Sequence, residues 1–200
     1  MTGEERQIGR VLRSTTASYT VGCRELMTEQ NLLVPEFGQL VKARMLNGET
    51  IYGLIYCVTI EDDAFVRQLV AAGVESAEII EDQRQKRQVP VVVDVLTVGY
   101  CRGNTMIQRL PPQPPRTLDP IFSCNPAEFV RFTAEPDWLR IVLAAQDAPV
   151  DQLIVAALRA AADARPPDQR DAYKIAAGRE LARLLSLDIA RLDGILKQLR

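Results

Sequence analysis

The chain has 200 residues, with 24 Lys/Arg against 26 Asp/Glu, 47% apolar and 25% charged residues. That balance belongs to a folded globular protein, not a disordered one, and the length suffices to bury a core without disulfide or metal staples. Divided at residue 133, the two parts hold 14 Lys/Arg against 16 Asp/Glu and 10 against 10. Neither part has the basic excess on which sequence-independent phosphate binding draws.

Histidine is absent. Its absence removes Ser-His-Asp and Cys-His nucleophile systems, imidazole metal sites and the commonest general base. Cys23, Cys57, Cys101 and Cys124 are scattered with no C-x-x-C pair, so they read as buried reduced thiols, not as a zinc site or a disulfide framework. There is no G-x-x-x-x-G-K-[ST], and no G-x-G-x-x-G follows a strand. The chain is therefore expected to use no cofactor and no metal, and to be non-enzymatic. A catalytic reading would need acids such as Asp94 and Glu61 to converge in one pocket. The charged N-terminus lacks an apolar stretch of signal-peptide type. No apolar run approaches the roughly 18–20 residues that span a bilayer. The expectation is a cytoplasmic protein without membrane insertion.

In chain order, residues 7–13 alternate apolar and polar, Ser14-Thr15-Thr16 forms a turn, and residues 17–23 resume a strand, together a hairpin. A loop through Pro35 leads to a strand at 37–44. Asn47-Gly48 is a tight-turn pair, because both residues tolerate positive φ. The strand leaving it, Thr50 to Ile60, is apolar with little alternation. It implies burial on both faces or a bent barrel strand, with Gly53 as a bulge.

A helical insert follows at about 62–88. Its acidic start at Glu61-Asp62-Asp63 suits a helix N-terminus, and Arg84, Lys86 and Arg87 suit a helix end. The strand Val91 to Tyr100 is interrupted by Asp94. Gly103-Asn104 is a turn, Thr105 to Leu110 the partner strand, and Pro111-Pro112-Gln113-Pro114-Pro115 a stiff extended strap across the domain. A last short strand at 121–124 precedes Asn125-Pro126-Ala127-Glu128, which has the spacing of a capping box.

Beyond residue 133 the texture is alanine- and leucine-rich and helical. One helix surrounds Trp138 to Leu143, a second opens at Pro149-Val150-Asp151, and a long third runs from about Asp168 to Leu199. Its leucine face, including Leu181, Leu185, Ile189, Leu192 and Leu196, suits a partner helix or self-association as in a coiled coil. A small helical bundle folded on itself is the alternative, favoured by the two short helices before it.

Ile8-Gly9-Arg10-Val11, Phe37-Gly38-Gln39-Leu40-Val41 and Ile51-Tyr52-Gly53-Leu54-Ile55-Tyr56, with Ile107 to Pro115 and Pro120 to Cys124, resemble the HerA–ATP-synthase barrel domain. In particular the chain is similar to the stand-alone members of that family, which keep the barrel, a helical insert and a helical tail but no motor. The resemblance covers residues 7–133 and implies an α+β protein: a small N-terminal β-barrel with a helical insert (1–133), then an all-α tail (134–200). In the ATPases the barrel forms the collar of a hexameric ring and docks partners, and the nucleotide site lies in the next domain. This chain has no P-loop and 67 residues after the barrel, so only assembly and docking carry over. The expected function is a protein-interaction module whose partner is a ring ATPase or a second copy of the chain. The alternative is a nucleic-acid-binding accessory barrel using Arg84, Lys86, Arg87 and Arg102 near Tyr100.

Overall fold

The computed structural model describes residues 5–23, 26–28, 31–33, 35–60, 67, 71 and 91–199. Among these are nine strands: β1 Gln7–Ser14, β2 Ser18–Cys23, β3 Leu26–Thr28, β4 Asn31–Leu33, β5 Leu40–Arg44, β6 Thr50–Ile60, β7 Val91–Arg102, β8 Thr105–Ile107 and β9 Pro120–Ser123. Five helices follow: α1 Pro126–Phe132, α2 Trp138–Leu143, α3 Val150–Asp163, α4 Pro167–Leu184 and α5 Ile189–Gln198.

Six antiparallel strands close on themselves in the order β1-β2-β7-β6-β5-β9, with β9 returning to β1. Closure removes the exposed sheet edges that a flat sheet of this size would carry. The inward set is apolar: Val11, Val21, Val41, Ala43, Ile51, Ile55, Val93, Val95 and Ile121 are all buried there with Tyr19. The barrel is thus a packed core. Gly53 sits at a register shift between β6 and β7, as its place in an apolar strand predicts. A Cβ there would lie 2.4 Å from Val95 Cγ1 and 2.8 Å from Tyr19 Oη, so the tyrosine fills the space a side chain would take. The Asn47-Gly48 turn forms, with Gly48 at φ +82°.

The outward faces of β5, β6 and β7 are apolar as well. Leu40, Tyr52, Leu54, Leu96 and Val98 share one core with Phe129, Phe132, Trp138, Leu139, Val142, Leu153, Ile154 and Leu158 from the helices. That two-sided demand explains why β6 shows so little alternation: one face fills the barrel and the other holds the helical layer. Contact is close enough that a Cβ on Gly38 would reach 2.6 Å from Ala156 Cβ on α3. The Asn125 capping box forms with both reciprocal hydrogen bonds and launches α1 from the end of β9.

Several expectations need correction. The stretch between Cys23 and Pro35, expected as loop, contains the paired strands β3 and β4. The long terminal helix is two helices: α4 stops at Leu184, and Asp188 caps a new start by accepting from the Arg191 backbone N–H. The last helix folds back on α4, with Leu196 beside Gly178. Of the insert at 62–88 only Arg67 and Ala71 are described, both helical. The proline strap is laid along the barrel: Pro111 and Pro115 are buried, and Ser14 Oγ donates to the Pro115 carbonyl at 2.6 Å.

One buried cation, not foreseen from sequence, ties the helices together. Arg165 is 8% exposed, and its guanidinium donates to the carbonyls of Ala161, Val130 and Thr133 and to Thr133 Oγ1. Its carbon lies 3.6 Å from the Tyr173 ring centroid. Burial lowers its pKa from the ordinary value, partly offset by Tyr173. It bonds carbonyls near the C-terminal ends of α1 and α3, where a positive charge complements the helix dipoles.

Candidate functional site

The candidate site is an apolar trough where the helical layer fails to cover the barrel. Helix α2 is only six residues long. The chain that follows it, Ala144-Ala145-Gln146-Asp147-Ala148-Pro149, has side chains too short to fill the space above β7. A cleft of about 350 Å³ opens there, lined by Ala17, Leu96, Leu110, Arg140, Ile141, Ala144 and Ala145. It shares Ala17, Leu96, Ala144 and Ala145 with a second cleft of about 250 Å³ that extends to Tyr56, Gln146 and Asp147. One wall is rigid barrel: Ala17 accepts a backbone hydrogen bond from Thr97 at 2.8 Å. Leu110, which opens the strap, is 46% exposed at the rim.

Charge marks the two ends of the trough. Arg140 stands at one and Asp147 at the other. The Tyr56 hydroxyl is held above its usual pKa, first by burial and then by the negative charges of Asp94 and Asp147. Asp94 itself accepts from Thr20 Oγ1 at 2.6 Å, and Thr20 accepts from Arg13 Nε at 3.0 Å. The interrupting acid of β7 therefore sits in a three-strand relay on the outer wall, reaching an arginine through a threonine. Glu61, the other acid weighed for catalysis, lies outside the described residues.

A second charged cluster lies at the junction of β5, β9 and α1. Lys42 is buried and paired with Glu128 and with Glu5, the latter at 3.2 Å. Burial pushes its pKa down, but the two carboxylates outweigh it and leave the amine above its ordinary value. Cys124 beside it is raised by burial and by Glu128, against the pull of Lys42. A protonated amine and a protonated thiol are poor nucleophiles. The cluster locks the helical layer onto the barrel.

Of the basic residues weighed for nucleic acid, Arg84, Lys86 and Arg87 lie outside the described residues. Arg102 pairs with Glu49 at 2.7 Å, and its guanidinium lies 5.7 Å from the Tyr100 ring centroid. The leucine face of the tail is divided. Leu181 and Leu185 are buried inside the helical core, Leu192 and Leu196 pack partly against it, and Ile189 is 73% exposed. Leu187, in the turn before it, is fully exposed. Among the described residues no group of three or more Cys, Asp or Glu is placed to hold a metal ion, and no helix is long and apolar enough to cross a membrane.

The trough was not visible in the sequence. Its only signal is a run of small residues directly after a short amphipathic helix, which leaves a layer thin where a longer helix would close it. No protein-family model matches the chain, and no curated protein matches its sequence.

Proposed function

We propose that this chain is a non-enzymatic protein-interaction module that receives a segment of a partner protein in the trough between barrel and helices. The observation that carries this reading is the trough itself: a shallow, mostly apolar surface with one wall on the barrel, and with Arg140 and Asp147 at its ends to orient what lies in it. Aliphatic side chains of a partner would displace water from Ala17, Leu110 and Ile141, at about 25 cal/mol per Å² of apolar surface covered. The resemblance to the HerA–ATP-synthase barrel supports a ring-forming ATPase as the partner, because docking is the barrel's role that survives without a motor domain.

Site-specific photo-crosslinking tests the reading in cells. A benzophenone amino acid in place of Ala144, which is exposed in the trough, is expected to yield one discrete adduct with another protein. The same probe at Glu135, on the exposed surface outside the trough, is the control. No adduct from position 144, or equal adducts from both positions, would overturn the assignment.

A further inference from the structure

A different face carries a second inference, independent of the trough. The turn Arg116-Thr117-Leu118-Asp119 is stitched onto the outside of β1. Val11 N–H donates to the Asp119 carbonyl at 3.0 Å, Leu118 N–H donates to the Val11 carbonyl at 2.8 Å, and Arg10 Nη1 donates to the Leu118 carbonyl at 2.8 Å. The turn is closed by Asp119 N–H donating to the Arg116 carbonyl at 3.0 Å. At its third position, where glycine or asparagine is favoured, stands Leu118 at φ +70°. It is the only described non-glycine residue in that region of conformational space.

The strained leucine does not buy burial: 64% of it is exposed. Beside it on β1, Leu12 lies over Gly22 and is 51% exposed. Three arginines frame the two leucines. Arg10 is bound to the turn, Arg13 leans to β2, and Arg116 keeps 61% of its side chain exposed. The one carboxylate in the turn, Asp119, meets Arg116 at 3.5 Å and accepts from its backbone N–H. Arg10 donates to a carbonyl, and Arg13 reaches the Asp94 carboxylate only through the Thr20 hydroxyl.

Two exposed aliphatic side chains on a fixed backbone, flanked by three guanidiniums of which only Arg116 is paired directly with a carboxylate, form a complementary surface for one kind of ligand. We propose that this face binds an acidic, leucine-bearing peptide segment of a partner protein, whose carboxylates meet Arg10, Arg13 and Arg116 while its aliphatic side chains cover Leu12 and Leu118. Bidentate guanidinium–carboxylate pairing supplies direction, and the apolar centre supplies burial once water is excluded. Nucleic acid is disfavoured because the centre of the face is aliphatic, without the aromatic platforms on which bases stack.

The test selects random dodecapeptides displayed on phage against the full chain, then measures the best of them as synthetic peptides. Peptides combining Asp or Glu with Leu or Ile are expected to be enriched, and to bind about tenfold more weakly to the Arg10→Glu/Arg116→Glu variant. Leu118→Gly separates binding from folding, since glycine accepts the left-handed backbone: its melting temperature should hold or rise while peptide affinity falls. Absence of enrichment, peptides without acidic residues, or full affinity in Leu118→Gly would overturn the proposal. A 20-nucleotide single-stranded DNA that binds in place of peptide, and is lost on the same charge reversal, would overturn it as well.

Discussion

Tyr19→Phe should make the protein more stable. Tyr19 is 2% exposed inside the barrel, wedged against Gly53 and Val95, and its hydroxyl has no hydrogen-bond partner among the described residues. Burial, and to a lesser degree Cys124, raises its pKa well above the usual phenol range. A buried unpaired hydroxyl costs about 1–3 kcal/mol relative to the unfolded chain, where water satisfies it. Removing the oxygen leaves a void on the order of 10 Å³, which costs about 0.2 kcal/mol at roughly 24 cal/mol per Å³. The balance is a gain near 1.5 kcal/mol, or about 3–6 °C in melting temperature for a chain of this size. Thermal unfolding followed by circular dichroism, with a urea titration at 25 °C, measures both figures. A loss of stability would refute the reasoning, because it would mean that the hydroxyl has a partner and the barrel interior is not a dry packed core.

The other predictions follow from the same structure. Arg165→Met strips hydrogen bonds from the carbonyls of Ala161, Val130 and Thr133, and should lower stability by about 2–4 kcal/mol in chemical denaturation. Leu181→Ala removes a fully buried side chain and should cost about 2–5 kcal/mol, whereas Ile189→Ala, on the exposed part of the same leucine series, should stay within about 0.5 kcal/mol. Stability should fall as pH rises from 9 towards 11. Burial pushes the Cys23 thiol up to about 11, so above its unfolded pKa the denatured chain loses a proton that the native chain keeps. Each pH unit in that window then costs up to about 1.4 kcal/mol. Urea midpoints across that range measure the slope, and Cys23→Ala should reduce it, leaving the part that the raised Cys124 thiol contributes.

Local chemistry was legible in the sequence, and long-range closure was not. The capping box at Asn125 and the turn at Asn47-Gly48 form as read, because each is decided by residues two to four apart. Gly53 announced its register shift, since a glycine in a long apolar strand marks close approach. The pairing of β2 with β7, which closes the barrel, joins Ser18 to Leu96 and Cys23 to Val91. No local pattern specifies a partner that far along the chain.

The break between α4 and α5 contains neither proline nor glycine. What marks it is Asp188 as a cap, a signal hidden inside a leucine repeat that continues across it. The trough left still less trace. It exists because α2 is short and the alanines after it leave a gap between Ile141, Leu110 and Ala17, a property of two layers and not of either segment.

Occupation of the trough by a protein partner is what the proposed function most directly requires. The tagged chain and its Ala144→Trp variant, in which the indole fills the cleft, would be recovered in parallel from native lysate and the co-purifying proteins quantified by mass spectrometry. The account predicts one protein recovered in stoichiometric amount with the parent chain, a ring-forming ATPase on the fuller reading, and lost from the variant while its melting temperature is kept. Equal recovery by both chains, or recovery of the bait alone by both, would contradict it.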